Sequence, residues 1–441
     1  MRFSYLERII WLTMACLILW AVTSGTIEAS NTGILVLGLA LSLFCARVFI
    51  GHGGKVVTPL GIWMVMTVLV ASYASVVGMD DYRVSDSSIM LAQALTLMQA
   101  VGISVFSWGS NEGQVSTLGG WNSSRRVVIV FCWVLLAIAF LMGRGAGVAQ
   151  VIAESIGFVS IVVMVLALCS NVEIKFFSFS TLLFLSGFLF YVFYLHSGTG
   201  RLRVAALAFA ILMILSLRFQ TWFLKLVILA GVPLGLLFFA WYRIQFIEST
   251  IGSAEGRTGL ESLTDPFITF AYFLDLNANG MFSFSGFKNL LTPIAFLLPA
   301  GWEIPEAFGY QIVEIWRPES YGTGYSAAAT VVGEWYWMGG ELAVFISIPI
   351  LGGFVRILGK VYAKSISGFE VSPYKTCSLL IVLLLGSSLG DLVWGGIHTF
   401  TYRSVVRIFI AAFIVLAISL LTSVWNKKIG HTNLKVSMGE L

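Results

Sequence analysis

The sequence predicts an all-α membrane protein whose chain crosses the bilayer many times. Hydrophobic residues make up 58% of the 441 residues, charged residues make up only 11%, and the mean hydropathy is +0.92. A soluble protein of this composition would lack the polar residues needed to cover its surface. The apolar residues occur in continuous runs of span length, whereas the strands of a membrane barrel alternate polar and apolar residues. The runs therefore indicate helices, which satisfy their own backbone hydrogen bonds inside the bilayer.

The length of the apolar runs predicts the number of spans. A helix needs about 20 apolar residues to cross a hydrocarbon layer of roughly 30 Å, and twelve runs meet or approach this length. The predicted spans are 9–25, 33–50, 58–78, 88–107, 126–142, 150–169, 177–195, 204–218, 220–241, 339–358, 376–392 and 405–425. No small-residue cleavage site follows the first run, so we interpret it as an anchor and not as a secretory signal.

Basic residues in the short loops predict the orientation, because they stay on the cytoplasmic side. With both termini in the cytoplasm, most lysines fall on the inner side and the outer loops are mostly acidic. The chain then has three parts. Residues 1–241 form transmembrane helices one to nine, residues 242–338 form a large outer (periplasmic) loop, and residues 339–441 form helices ten to twelve and a cytoplasmic tail.

The outer side uses arginine in place of lysine. Nine of the sixteen arginines are predicted outside, whereas only one of the ten lysines, Lys288, is outside. Lysine would serve equally well for solubility, but the rigid fork of arginine donors binds phosphate or carboxylate through two parallel hydrogen bonds. The distribution therefore predicts an anionic ligand at the outer face.

Two pairs of these arginines lie at the outer ends of predicted spans. Arg403 and Arg407 are four residues apart and share one helix face, and Arg201 and Arg203 begin the eighth span. Charges near the membrane usually face a bundle interior or a cavity. The alternative is that each side chain extends to the lipid headgroups.

The large outer loop carries five of the nine prolines and many aromatic residues. Its apolar piece LLTPIAFLLP is too short to span and predicts an interfacial or re-entrant helix. Aromatic side chains offer flat faces and polar tips that suit sugar rings, although an aromatic belt at the membrane surface is the alternative. The five cysteines all lie inside or at the ends of apolar runs, so they predict neither a disulfide framework nor a metal site.

A resemblance to a known family rests on two motifs. Residues 322–353, GTGYSAAATVVGEWYWMGGELAVFISIPILGG, place a Gly/Ser-containing loop, a Glu-aromatic pair and glycines before a span. This segment resembles bacterial O-antigen and oligosaccharide repeat-unit polymerases of the Wzy type, which are related to O-antigen ligases. The element SGTGRLR at 197–203 is similar to the Ser-Arg-Gly type of entry to a middle span in these families, although it reads Gly-Thr-Gly-Arg here. The large outer loop has no histidine, whereas ligases typically have one there.

The resemblance implies a GT-C-like membrane glycosyltransferase of the bacterial inner membrane. It would polymerise oligosaccharide repeat units carried on undecaprenyl pyrophosphate, by inverting transfer at the outer leaflet and without a metal or other cofactor. The implied partners are the lipid-linked oligosaccharide, membrane lipids and a chain-length regulator, and no nucleic acid.

The reaction implied by the resemblance needs cations for the leaving pyrophosphate and a base for the attacking hydroxyl. The candidates for binding pyrophosphate or glycan are Arg201, Arg203, Arg257, Arg317, Tyr325, Arg403 and Arg407. Glu334 is the first candidate base, with Asp391 and His398 as the next two. For Glu334 the alternative is a structural ion pair with an arginine.

Two other functions remain open from the sequence. One is an O-antigen ligase, which would transfer the glycan to a lipid acceptor. The other is a lipid-linked oligosaccharide flippase or another transporter. Such transporters are often built from repeated halves with broken helices, and the sequence shows no comparable internal repeat.

Overall fold

In the computed structural model, every regular element of the described part of the chain is a helix. The structure describes residues 4–72, 84–107, 125–143, 148–170, 178–195, 201–243, 261–297, 306–316, 318–322, 327–366 and 373–437. The prediction of an all-α fold is thus confirmed for these residues.

Fourteen α-helices follow one another along the described chain. They are α1 Tyr5–Thr23, α2 Asn31–Gly51, α3 Pro59–Thr67, α4 Asp86–Phe106, α5 Arg125–Met142, α6 Val148–Cys169, α7 Phe179–Phe190, α8 Arg201–Phe219, α9 Trp222–Arg243, α10 Glu261–Ala278, α11 Phe308–Trp316, α12 Thr330–Ile366, α13 Pro373–Ser387 and α14 Leu389–Ser437. A π-helical turn extends α3 over Val68–Ser72 and α7 over Tyr191–Leu195, and 3-10 helices cover Phe287–Leu297 and Pro318–Ser320.

Seven of the described helices are long and apolar enough to cross a membrane. Five shorter apolar helices, at Pro59–Ser72, Arg126–Met142, Phe179–Leu195, Trp222–Gly231 and Lys375–Ser387, fall where the sequence predicted the remaining spans. The chain is therefore a multi-pass membrane protein by helix length and composition. The total of twelve spans and the GT-C-like fold stay predictions.

Buried polar contacts join the ends of helices, as expected in an apolar bundle where each polar group needs a partner. Lys225 at the start of α9 is 1% exposed. Its Nζ donates to the carbonyl oxygens of Phe49, Ile50 and His52 at 2.7, 3.2 and 2.7 Å. These carbonyls lie at the end of α2, so one cation satisfies acceptors that the helix itself leaves open.

The segment predicted as a large outer loop contains more helix than the sequence indicated. Besides the 3-10 helix that covers most of LLTPIAFLLP, it holds α10, α11 and the beginning of α12. Phe267, Phe270 and Phe273 of α10 are fully buried. The end of α10 is attached to the start of α4, because Asp275 accepts hydrogen bonds from the hydroxyls of Ser85 and Ser88 at 2.5 and 3.2 Å. Much of this segment is therefore part of the packed core.

Helix α12 is broken at Gly339 and Gly340, and its two arms fold back on each other. Gln99 of α4 donates to the Ser347 hydroxyl at 2.8 Å, and Gln99 also lines one small pocket with Thr330. Residues 330 and 347 would lie roughly 25 Å apart in a straight helix. Gly340 has φ +66° and ψ −154°, a conformation essentially restricted to glycine. Residues 330–338 are therefore a short first arm that packs against the long second arm, residues 341–366.

Helix α14 contains a second reversal, at Gly396, with φ +78° and ψ −173°. Arg407 Nη1 lies 3.8 Å from Asp391 Oδ2, whereas these residues would be roughly 24 Å apart along a straight helix. The reversal lies between the last two predicted spans, 376–392 and 405–425. Residues 389–395 form a short arm that follows α13, the chain turns at Gly396, and residues 397–437 form the returning arm.

The close packing of α4 against α12 generates a stability prediction. A Cβ on Gly352 would lie 2.6 Å from Phe106 Cβ, whereas a Cβ on Gly353 would meet nothing within 4 Å. We expect Gly352→Ala to lower stability by about 1–3 kcal/mol, because the added methyl forces the two helices apart. The adjacent Gly353→Ala change is the matched control and should leave stability equal or slightly raised. The thermal unfolding midpoints of the detergent-purified variants measure both, and equal midpoints would contradict the packing described here.

Candidate functional site

A buried polar cluster lies where α6, α8 and the two arms of α14 meet. Arg203 of α8, with Arg403 and Arg407 of the returning arm, forms what we term the arginine cluster. The carboxylates of Glu154 and Asp391 are paired with it. The sequence placed the three arginines at the outer ends of two predicted spans. The two ion-paired groups lie side by side, because Arg407 packs on Phe158, about one turn from Glu154 on α6, and Arg203 lies within electrostatic range of Arg403, Arg407 and Asp391.

Asp391 lies between two arginines. Arg403 Nη1 donates to Asp391 Oδ1 at 2.5 Å, and Arg407 Nη1 lies 3.8 Å from Asp391 Oδ2. The Asp391 side chain is fully buried. A buried charge is tolerated when it is paired and hydrogen-bonded, so this carboxylate holds the two arms of α14 together.

Arg407 is the most deeply placed arginine of the arginine cluster, at 3% exposed. Its Nη1 also donates to the Ser388 hydroxyl at 2.7 Å. Its guanidinium lies over the ring of Phe158 on α6, 4.0 Å from the ring centre, an arrangement in which the ring face attracts the cation. These contacts fix the side chain in a single position. An extended contact with lipid headgroups, the alternative raised from the sequence, does not describe Arg407.

The second ion pair joins Arg203 on α8 to Glu154 on α6. Glu154 is 4% exposed, and among the described residues neither of its carboxylate oxygens has a hydrogen-bond partner elsewhere. Arg203 is less buried, with 22% of its side chain exposed. Within this pair, Glu154 is therefore shielded from the surroundings, whereas part of the Arg203 side chain remains accessible to a ligand.

The whole group carries an excess of positive charge. Three arginines face two carboxylates, which leaves a formal charge of one positive unit if all five groups are ionised. Arg203 and Arg403 each keep 22% of their side chain exposed. The exposed edge of the cluster is thus cationic, as binding an anion requires.

Glu334 joins the two broken helices. It lies on the first arm of α12 and is 3% exposed. Its Oε2 accepts a hydrogen bond from the backbone N–H of Ile397 at 2.5 Å, with the N–H of His398 as a second donor. These are the first residues of the returning arm of α14, where backbone donors and the helix dipole favour a negative charge. Among the described residues no arginine pairs with Glu334, so the structural ion pair considered from the sequence is not found there; the carboxylate instead caps a helix.

His398 and Tyr402 border the site on the returning arm of α14. Their rings are parallel with centroids 6.4 Å apart. Tyr402 is 50% exposed and His398 is partly buried. His398 precedes Arg403 by five residues, which corresponds to roughly 8 Å along a helix. The imidazole is therefore the more accessible of the three candidate bases, because Glu334 and Asp391 are engaged in other contacts.

The structure brings together six of the ten site residues expected from the sequence. These are Arg203, Arg403, Arg407, Glu334, Asp391 and His398. Arg257, Arg317 and Tyr325 lie outside the described residues, as does the side chain of Arg201.

Sequence reasoning missed Glu154 and Ser388 as members of the site. The signal for Glu154 was present, because it is an acid inside a predicted span, where ionisable residues are costly and usually functional. Ser388 offered no such signal, since serine is common in membrane helices. Among the described residues, no group of three or more His, Cys, Asp or Glu side chains could hold a metal ion.

Comparisons of this chain with protein families, with curated proteins and with solved structures found no match. The geometry and the chemistry of the site are therefore the basis for a function.

The central position of Asp391 generates a second stability prediction. Asp391→Asn removes the only carboxylate paired with the buried Arg407 among the described residues, and breaking a buried pair in this way costs about 3–5 kcal/mol. The matched control is Asp275→Asn, whose carboxylate is bonded to two serine hydroxyls and is half-buried; we expect about 1 kcal/mol there. Unfolding midpoints of both purified variants are compared with the wild type. If the two variants lose equal amounts of stability, Asp391 is not the central stabilising residue of the cluster.

Proposed function

We propose that the chain is a membrane glycosyltransferase that polymerises oligosaccharide repeat units carried on undecaprenyl pyrophosphate. The observation that supports it is the convergence of Arg203, Arg403 and Arg407 into a partly exposed, positively charged group. The resemblance of residues 322–353 to repeat-unit polymerases of the Wzy type agrees with this. The proposed setting is the outer leaflet of a bacterial inner membrane.

In the proposed reaction a hydroxyl oxygen of one repeat unit attacks the anomeric carbon of the growing glycan. A new glycosidic bond forms, the bond from the anomeric carbon to the pyrophosphate oxygen breaks, and undecaprenyl pyrophosphate leaves with the electron pair. The arginine cluster stabilises the negative charge on the leaving group, which typically contributes about 3 kcal/mol for each well-placed donor. Inversion follows from attack on the face opposite the leaving group.

The hydroxyl proton must pass to a base at the same moment. We assign this role to His398, which is half-buried and lies near the arginine cluster on the same helix. Glu334 orients the amides of Ile397 and His398 and so positions this residue. Asp391 is assigned to positioning Arg403 and Arg407.

A second candidate function is a carrier or flippase for a lipid-linked oligosaccharide. It is favoured by one specific observation, the glycine breaks in α12 and α14, since discontinuous helices commonly form the substrate sites of transporters. The contact between Glu334 and the start of the returning arm joins the first arm of α12 to the break in α14.

The glycans of cells that lack the protein separate these functions. Loss of long chains with one repeat unit still attached to the acceptor lipid is the expected result and indicates a polymerase. Long polymer retained on undecaprenyl pyrophosphate would indicate a ligase, and repeat units retained on the cytoplasmic leaflet would indicate a flippase. Either of the last two patterns overturns the proposed function.

Replacing arginine by lysine tests the binding of pyrophosphate. Lysine keeps the charge but cannot form two parallel hydrogen bonds to phosphate oxygens. We expect Arg403→Lys to shorten or abolish the polymer at normal expression, with Arg407→Lys acting in the same direction. The control is Arg47→Lys, because Arg47 makes a comparable ion pair with Glu7 at 2.7 Å on α1 and α2, away from the cluster. Polymer of wild-type length from both cluster variants would rule out this use of the arginines.

A further inference from the structure

We propose that Glu154 is an internal competitor for the anion that binds at Arg203, so that this carboxylate sets the affinity of the arginine cluster for a phosphate-type ligand. The inference rests on the proposed binding of pyrophosphate by these arginines. It assigns a role to a residue that lay outside the set expected from the sequence.

Glu154 is buried and has little polar company. The residue is 4% exposed, in the first turns of α6, and its described partner is Arg203 alone. A carboxylate buried without further hydrogen bonds is unfavourable, and a glutamine or leucine of similar size would fit an apolar helix face better. Helix packing therefore does not explain a negative charge at this position, which points to a role in the function of the site.

Arg203, the partner of Glu154, is open to a ligand on one side. Each of Arg203 and Arg403 has 22% of its side chain exposed, and Arg203 lies within electrostatic range of Arg403. These two arginines therefore form the accessible edge of the arginine cluster. A phosphate-type anion that reaches this edge has to share or replace the carboxylate of Glu154 at the Arg203 guanidinium. The anion and the carboxylate then lie within a few ångströms of each other and repel, with little screening by water.

Glu154 and Asp391 differ in how firmly each is held by the arginines. Asp391 contacts two arginines and is fully buried, and Ser388 adds a neutral partner to Arg407. Displacing Asp391 would therefore leave both Arg403 and the buried Arg407 without their carboxylate partner. Glu154 contacts one arginine, and that arginine has an open side. Of the two carboxylates, Glu154 is thus the one that a ligand can displace.

The sign of one measured effect separates this role from a purely structural one. If Glu154 only fixed Arg203 in place, Glu154→Gln would loosen the arginine and weaken anion binding. If Glu154 competes with the anion, the same change strengthens binding. We expect the dissociation constant to fall about tenfold or more, which is the low end for removing one charge at contact distance from an anion.

The experiment uses the full-length protein in nanodiscs of zwitterionic lipid, with inorganic pyrophosphate as the probe and calorimetry as the measurement. Glu154→Gln should bind pyrophosphate more tightly than the wild type. Arg203→Gln should bind it more weakly, and in the double variant the gain from Glu154→Gln should disappear, because the two residues act through one ion pair. Glu341→Gln removes an exposed carboxylate at the start of the second arm of α12 and should bind like the wild type.

Weaker or unchanged binding by Glu154→Gln overturns the inference, and so does a tightening of the same size in Glu341→Gln. If Glu154→Gln does not purify as a folded protein, Glu154→Asp retains the charge but draws it back from Arg203, and it should also bind pyrophosphate more tightly. A second set of nanodiscs containing phosphatidylglycerol tests the other source of phosphate. If phosphatidylglycerol weakens pyrophosphate binding more in Glu154→Gln than in the wild type, and Glu154→Gln does not bind pyrophosphate more tightly, the inference is also overturned.

The outcome is distinguishable from a failure of the proposed function. If Glu154→Gln binds pyrophosphate more tightly but cells lacking the protein have unchanged glycans, the competing role of Glu154 stands and the polymerase function is wrong. If the wild-type protein binds pyrophosphate and is needed for long chains, but Glu154→Gln binds pyrophosphate no more tightly, the polymerase function stands and the competing role of Glu154 is wrong.

Discussion

The described structure depends on one constraint: a charge inside an apolar bundle must have a partner. Arg407 and Asp391 are almost completely buried, so neither would be tolerated without the other. Their pairing requires the chain to reverse between them, which it does at Gly396. The same pairing places Arg403 beside Asp391 and, through Phe158, brings α6 against the returning arm of α14. The ion pairs thus determine how the last helices meet the middle of the bundle.

Glycine residues make the reversals of the chain possible, and the carboxylate of Glu334 satisfies the backbone N–H groups that the reversal at Gly396 leaves without acceptors. Gly340 and Gly396 adopt backbone conformations that other residues rarely reach. A reversal leaves the first N–H groups of the new helix without acceptors. At Gly396 the side chain of Glu334 accepts from them, and it lies so close that a Cβ on Gly396 would collide with it. A side chain on one broken helix therefore satisfies the backbone of the other, and the two breaks form one structural unit.

The sequence predicted the helical class and the positions of the spans, because continuous apolar runs of a set length leave few alternatives. It did not predict α10 or the first arm of α12. Both are too short or too rich in charge for a span, and Glu261, Asp265 and Asp275 give α10 the character of a loop. The arginines were predicted as ligands from their residue type and from their positions at the outer ends of predicted spans. Their carboxylate partners were not, since Glu154 and Arg203 are distant in sequence and only the fold brings them together.

The arrangement of the site suits the proposed reaction for a geometric reason. In an inverting transfer the base and the leaving group act on opposite faces of the sugar, so they must be separated by more than a hydrogen bond. Inverting glycosidases keep their two carboxyl groups about 6.5–9.5 Å apart for this purpose. His398 and Arg403 are five residues apart on the returning arm of α14, which places them roughly 8 Å apart along its axis and about 140° apart around it, so their side chains leave different faces of the helix. One helix, capped by Glu334 and held by Asp391, thus carries a candidate base and a candidate phosphate ligand at separate positions, as a reaction with groups on both sides of the sugar requires.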